Sequence, residues 1–282
     1  MIDELKLFVQ RVWDTLPTKE SVCEPSQLRF TKFCQRVASP HTKVMFFVTY
    51  RTKPLCILKM MRSADYNDAL RRERDAEQKA GVFGQCRAPR VYGDGLVLDR
   101  YVYAEEALYH ARPLTRREAF AFEKNIIESL RFLPKSKEIS ARTLADVLMS
   151  HIPDSEPAAL RLVEQLKEST SELATGFTHG DLGTPNILLQ ANVWYVIDWE
   201  HAGAEPFWLM DGLYFSARLR HIGDLADWQK RGRDTFVLHT GVTASYADAL
   251  FCLKAILSIL RKRHPAEYRH VVIRFRELCQ GI

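Results

Sequence analysis

The stretch Thr178 to Glu200, THGDLGTPNILLQANVWYVIDWE, gathers His179, Asp181, Asn186 and Asp198 at close spacing. Two apolar runs, Ile187 to Leu189 and Val193 to Ile197, are separated by Gln190, Ala191 and Asn192. The pattern predicts an antiparallel hairpin turning at Ala191-Asn192, because Asn tolerates positive φ. Counting outward from that turn sets Asn186 opposite Ile197, so Asp198 returns to within one residue of Asn186 on strands roughly 5 Å apart. An amide oxygen and a carboxylate so placed, with Asp181 on the loop just before, form a donor set made only of oxygen. That set suits magnesium rather than zinc.

The spacing His179-Gly-Asp181-Leu-x-x-x-Asn186 fits the catalytic loop of protein kinases, with Gly180 where those enzymes carry Arg. Asp198 follows as a second metal carboxylate. On HGDLGTPNILL, VIDWE and Pro206-Phe-Trp-Leu-Met-Asp211, the chain resembles the aminoglycoside phosphotransferase and choline kinase-like family, small-molecule relatives of the protein kinases. The resemblance implies an α+β, bilobal protein kinase-like fold and the use of ATP and Mg2+. It implies Asp181 as the base for an acceptor hydroxyl, and Asn186 and Asp198 as metal ligands. His179 becomes a structural spacer, and Asp211 a brace for the loop through backbone N–H groups. Glu200 and His201 would line the acceptor site, with plain solvent exposure as the other reading. Gly180, the short path from Asn186 to Asp198 and the lack of an APE sequence imply no phosphorylation switch of the protein-kinase type.

These residues need elements to hold them. Leu5, Phe8, Val12 and Leu16 recur at helical spacing over residues 2–16, up to Pro17. Val44 to Tyr50 and Leu55 to Met61 read as strands joined by a turn at Arg51 to Pro54. Lys59 interrupts the second of them, and a charge in a buried strand is costly unless paired. The helix expected over Asp65 to Ala80 carries Glu73 and Glu77 one turn apart. In the family, such a lysine–glutamate pair holds the α- and β-phosphates of ATP, which assigns Lys59 and Glu73 to the nucleotide, with Glu77 as the alternative partner. The segment Val37 to Lys43 lacks the glycines of a phosphate-covering loop, although Ser39 and Thr42 can still offer backbone N–H groups. No GxxxxGK[ST] occurs, which excludes a P-loop kinase. Leu96 to Val102 reads as a strand, which the resemblance implies leads into the hinge, with Asp99 to Tyr103, Asp99 and Tyr101 among them, offering backbone groups to the adenine; a plain core strand is the other reading.

Helices are expected over Arg116 to Leu133, Ala141 to Ser150, Ala158 to Leu173, Leu209 to Leu219, Leu225 to Leu238, Ala244 to Arg263 and Glu267 to Leu278. The chain thus divides into a β-rich nucleotide-binding lobe, residues 1–103, and a helical lobe, residues 104–282, with the catalytic loop and acceptor site. Its 282 residues suffice for two cores. A net charge of +5 does not by itself argue for nucleic acid. No signal peptide is read at the start, and no run approaches the roughly 18 apolar residues of a membrane helix. The six cysteines form no CxxC pair, in keeping with reduced thiols in a cytoplasmic protein.

The expected partner is a small-molecule hydroxyl acceptor: a sugar, aminoglycoside, amino alcohol or glycan precursor. The basic end, Arg261 to His264 with Arg269, Arg274 and Arg276, reads as a solvated helix terminus or as a surface for an anionic acceptor, a membrane or a polyanion. Two other functions are weighed against this one. A metal-dependent phosphoester hydrolase would employ His179, Asp181, Asp198 and His201, and a non-catalytic kinase-like module would employ none.

Overall fold

The structure, a computed structural model, describes residues 1–34 and 42–280. Most of the glycine-free segment from Val37, including Ser39, therefore lies outside the described residues; only Thr42 and Lys43 of it are inside. The chain forms two compact units, one of Met1–Val82, Arg87–Arg112 and Leu188–Glu200, the other of Phe83–Cys86, Pro113–Ile187 and His201–Ile282.

The first unit is built on an antiparallel sheet of β1 (Leu28–Cys34), β2 (Lys43–Tyr50), β3 (Lys53–Met61), β6 (Val91–Val97) and β7 (Arg100–Glu105), in the order β1-β2-β3-β7-β6. Short strands β4 (Val82–Phe83) and β5 (Cys86–Arg87) precede β6 in sequence. Strand alternation sorts the side chains into two faces. Val44, Phe46, Val48, Cys56, Leu58, Met60, Val102 and Ala104 share one apolar core with Leu5, Phe8, Val9 and Trp13 from the N-terminal segment. The opposite face packs against helix α2 (Asn67–Ala80), where Leu70 meets Met61, Tyr101 and Tyr103. That face also carries Lys43, Lys59 and Glu105.

Several expected elements differ in detail. The first helix, α1 (Ile2–Arg11), is shorter than expected, and a tight turn over Trp13–Thr15 follows, with the Trp13 indole donating to the Glu20 carbonyl at 2.9 Å. Leu96 to Val102 is not one strand. Leu98 and Asp99 take φ of 50° and 60° and make the two-residue turn of the β6–β7 hairpin. Residues Val91–Val97 before it form strand β6, and Gly93 there allows close packing: a Cβ would lie 2.8 Å from Val12 Cγ1. The unit also contains the hairpin of β11 (Ile187–Gln190) and β12 (Val193–Val196), after short β8 (Arg112–Pro113), β9 (Lys135–Ser140) and β10 (Glu172–Gly176) in the chain. Ala191 and Asn192 both have positive φ, 47° and 65°, the geometry of a type I′ turn.

The second unit is mainly helical: α3 (Arg116–Leu130), α4 (Ala141–Met149), α5 (Pro157–Glu168), α6 (Met210–Arg220), α7 (Leu225–Arg231), α8 (Arg233–Thr240), α9 (Ala244–Arg263) and α10 (Pro265–Gln280). Helix α9 is apolar around most of its circumference, burying Ala247, Leu250, Leu253, Ile256, Leu257 and Leu260, and it packs against α5, α6, α8 and α10. The helix expected through Leu173 ends at Glu168, because Ser169 turns extended and its hydroxyl accepts from the Ser171 N–H; Glu172–Gly176 instead pairs with β9. Residues 225–238 form two helices rather than one. The break falls at Gly232, where a Cβ would stand 2.5 Å from the Trp228 ring. No single helix among the described residues is long and apolar enough to cross a membrane. Cys23, Cys56, Cys86 and Cys252 are buried thiols.

Buried Glu123 on α3 accepts both guanidinium nitrogens of Arg220 at the end of α6, at 2.5 and 2.7 Å. Truncating one member of a buried pair leaves an uncompensated charge, so Arg220→Ala is expected to lower stability by about 3–5 kcal/mol. Urea unfolding of the variant against wild type, with Arg220→Lys as partial rescue, measures that loss.

Candidate active site

In the first unit the register fixes which charged side chains meet. Met45 stands opposite Lys59, and Tyr103 stands opposite Lys59 on the other side. Lys43, two residues from Met45, and Glu105, two from Tyr103, therefore share the face that carries Lys59. Helix α2 presents Glu73 and Glu77 to the same face, one turn apart. Lys59 Nζ lies 2.9 Å from Glu73, 3.0 Å from Glu77 and 2.8 Å from Glu105. Lys43 Nζ lies 3.1 Å from Glu73, 2.6 Å from Asp198 and 3.0 Å from Glu200. The choice between Glu73 and Glu77 thus resolves into both: each contacts Lys59, and Glu73 alone bridges the two lysines.

Burial divides the carboxyl groups by role. Desolvation alone would raise the Glu73 carboxyl, but the charges of Lys59 and Lys43 pull it down to about 2. Glu77 goes the other way. Burial, then the charge of Glu105, pushes it well above the usual carboxylate range, so it keeps its proton. Lys59 is opposed by its own burial, yet the charges of Glu105 and Glu73 hold it charged, with its pKa well above the ordinary value.

Asp198 follows β12 with φ of 65°, a conformation that aspartate tolerates better than most residues and that clusters at functional sites. Its carboxylate, that of Glu200 and that of Glu73 converge on one point, with ligand atoms within 4.8 Å of one another, and the Lys43 ammonium sits among them. With Glu77 protonated, two lysines face four other carboxylates, and the imbalance favours a further cation. An oxygen-only donor set of this kind fits Mg2+.

Asp99 and Tyr101 lie at the opposite end of β7 from the point where the chain leaves the sheet after Glu105. Asn67 engages both, donating to the Asp99 carbonyl at 2.9 Å and accepting from the Tyr101 N–H at 2.7 Å. The Tyr101 hydroxyl accepts from Arg74 at 2.8 Å. The strand beyond the turn is thus Arg100–Glu105 rather than Leu96 to Val102, and the hairpin turn at Leu98-Asp99 explains the offset from the expected position.

In the second unit the loop from Thr178 to Asn186 is held from beneath. Asp211, buried at the start of α6, accepts the backbone N–H groups of His179 at 2.5 Å and Gly180 at 2.9 Å. Burial pushes its carboxyl above the ordinary value, against the pull of His179 and those two donors. His179 is fully buried, and its Nδ1 accepts from the Asp181 N–H at 3.3 Å. Asn186 Nδ2 donates to the Asp181 carbonyl at 2.9 Å, closing the loop on itself. The Asp181 carboxylate is left facing Arg218 of α6 at 3.7 Å. Gly180 has φ of 87°, and a Cβ there would lie 2.1 Å from the His201 carbonyl oxygen. Its backbone conformation and this contact demand glycine, whatever occupies the place elsewhere.

Sequence reasoning does not single out Lys43, Glu105 or Arg218 at the site. Lys43 reads as the end of the glycine-free segment, although alternation through β2 would have put it on the face of Lys59. Glu105 closes an apolar run and carries no motif, and Arg218 is one arginine among many.

A family model described as "Phosphotransferase enzyme family" matches residues 37–209, more than half of the chain. Comparison with curated proteins finds no match. Among solved structures, the chain is similar to the apoenzyme of macrolide 2'-phosphotransferase MphH from Brachybacterium faecium, at 12% identity and TM-score 0.53 over 96% of each chain. It is similar to macrolide 2'-phosphotransferase type I, at 12% identity and TM-score 0.51, over 96% of this chain and 95% of that one. An apo thermostable mutant of aminoglycoside phosphotransferase APH(4)-Ia matches at 13% identity and TM-score 0.51, over 89% and 94%. These likenesses are likenesses of fold.

The opposite shifts of Glu73 and Glu77 give opposite mutational outcomes. Glu73→Gln removes the carboxylate that bridges the two ammonium groups, leaving Lys59 with Glu105 and Lys43 with Asp198 and Glu200, and is expected to cost about 1–3 kcal/mol at pH 7, whereas Glu77→Gln mimics the protonated acid and costs under about 1 kcal/mol. Because the folded Glu73 titrates below its ordinary 4.5, its contribution is present above that pH and lost as the pH falls toward 2. Urea midpoints between pH 2 and 7 should fall less steeply on acidification in Glu73→Gln than in wild type. Gly180→Ala, which forces a left-handed residue against a carbonyl, is expected to cost about 2–4 kcal/mol in the same assay.

Proposed function

This chain belongs to the phosphotransferase enzyme family and is a small-molecule kinase, and we propose that it moves the γ-phosphate of ATP, with Mg2+, to a hydroxyl of a small molecule. The observation that carries the reading is Lys59, a buried ammonium in an otherwise apolar strand, enclosed by Glu73, Glu77 and Glu105. Such a group is costly to desolvate, and hydrophobic packing would serve stability better. Its use is to fix a cation where phosphate oxygens arrive.

In this reading Lys59 and Lys43 bind the phosphates, and Glu73 holds both lysines in position. Asp198 and Asn186 hold the metal, with Glu200 beside Asp198. When bound, Mg2+ neutralises charge on the phosphate oxygens. Asp181 orients the acceptor hydroxyl and takes its proton, while His179, Gly180 and Asp211 keep the loop rigid. We assign no nucleotide contact to Asp99 and Tyr101, since Asn67 and Arg74 already occupy them. The acceptor is a sugar, amino alcohol, glycan precursor or aminoglycoside. A two-metal hydrolase is not favoured, because His179 is buried with Nδ1 committed to the Asp181 N–H.

Two variants separate binding from chemistry. ATP with Mg2+ is expected to stabilise wild type by about 2.7 kcal/mol at roughly 100 times Kd, and Asp198→Ala should remove that gain. Asp181→Asn should keep the nucleotide stabilisation yet lower transfer of labelled phosphate by about 10²–10⁴-fold. Equal transfer by wild type and Asp181→Asn would rule out Asp181 as base, and the absence of stabilisation by any nucleotide would overturn the reading.

A further inference from the structure

The second unit contains a cavity of about 600 Å³ lined by helices α5, α6 and α9 and by the chain between α6 and α7. Helical periodicity builds its walls. Lys254, Ser258 and Lys262 stand at successive turns of α9, Arg161 stands on α5, and Arg218 stands on α6. Between them lie apolar side chains, among them Leu162, Leu213, Phe251 and Ile259. Five cations therefore line the cavity, Arg161, Arg218, Lys254, Lys262 and Arg263, against one carboxylate, Asp224.

Three of the five are tied locally. Lys254 is buried and pairs with Glu205 at 2.5 Å, Arg263 pairs with Glu156 at 3.0 Å, and Arg218 faces Asp181 at 3.7 Å. Arg161 and Lys262 have no carboxylate partner among the described residues. Cations of one sign on the walls of an apolar cleft focus their field into it, attracting anions and repelling cations. Arg218 joins this cavity to Asp181, so the charged chamber borders the residue proposed as base.

We propose that the phosphate acceptor is an anion: a hydroxylated small molecule carrying a phosphate or carboxylate group, held by Arg161 and Lys262 in the α5–α6–α9 cavity. This rests on the phosphotransferase reading above. In the transfer, the acceptor hydroxyl gives its proton to the Asp181 carboxylate and its oxygen bonds to the γ-phosphorus. The bond from that phosphorus to the β–γ bridging oxygen breaks, and ADP leaves with the bond's electron pair. A polycationic acceptor meets repulsion in the same chamber, which excludes aminoglycosides as the preferred substrates.

The test uses one ring skeleton at four charges: glucose 6-phosphate, glucuronate, glucose and glucosamine, with inorganic phosphate as a bare anion. Calorimetry of the full chain without nucleotide reads the cavity alone. At least one sugar anion should bind about tenfold or more tightly than glucose and glucosamine, the gain should shrink at high salt, and Arg161→Gln with Lys262→Gln should abolish it. Tighter binding of glucosamine, anion binding unchanged in the double variant, or no binding of either sugar anion or of inorganic phosphate at about 10 mM would overturn the proposal. Transfer assays with ATP and Mg2+ then separate the two readings. If the sugar anions bind but no nucleotide does, the phosphotransferase reading fails and the anion site stands. If glucosamine is the best acceptor, the kinase stands and the anionic acceptor falls.

Discussion

One carboxylate, Glu73, holds two ammonium groups at once, Lys59 at 2.9 Å and Lys43 at 3.1 Å. It is 1% exposed, so neither partner can be exchanged for water. The position of α2 over the sheet, the direction of both lysine side chains and the placing of Asp198 and Glu200 around Lys43 all follow from this bridge. Buried ions of this density are seldom the cheapest way to stabilise a fold. Their presence on one face of the sheet, while Phe46, Val48, Leu58 and Val102 on the other face enter an apolar core, sets the two faces apart in character.

The second unit solves a different problem by a similar economy of parts. A loop that must expose Asp181 has few backbone partners of its own, and irregular backbone is mobile unless something ties it. Asp211 ties it through two N–H groups, Asn186 closes it, and Gly180 lets it pass against the His201 carbonyl without a Cβ between. Each of these side chains serves the loop's shape, leaving Asp181 the carboxylate of the loop that faces outward to a neighbouring cation.

Much of this was legible in the sequence because it is written in local signals. The hairpin turn at Ala191-Asn192, the lysine that interrupts an apolar strand and the two glutamates one helical turn apart all depend on near neighbours. What escaped depends on distant ones. Lys43 and Glu105 gain their meaning only from the register of β2, β3 and β7, which brings residues 43, 59 and 105 to one face. Strand β1 breaks its apolar–polar alternation at Thr31-Lys32, and the β6–β7 turn uses Leu98 and Asp99 where an Asn-Gly pair would have announced it. The break between α7 and α8 is invisible until Trp228 is seen pressed against Gly232. Gly180 was readable as a missing arginine, while the reason for glycine lies in a carbonyl more than twenty residues later in the chain.

The division of the sheet into a dry face and a charged face makes the whole unit a frame that is read in twos. Adding or deleting one residue within β3 would exchange Lys59 for Leu58 or Met60, turning an ammonium into the apolar core and a leucine or methionine toward Glu73 and Glu77. Point substitutions along this strand can be absorbed one at a time, but its length between the turns cannot drift by a single residue. From Cys56 to Met61, past the register shift at Leu55, the strand is therefore fixed in phase more tightly than in composition.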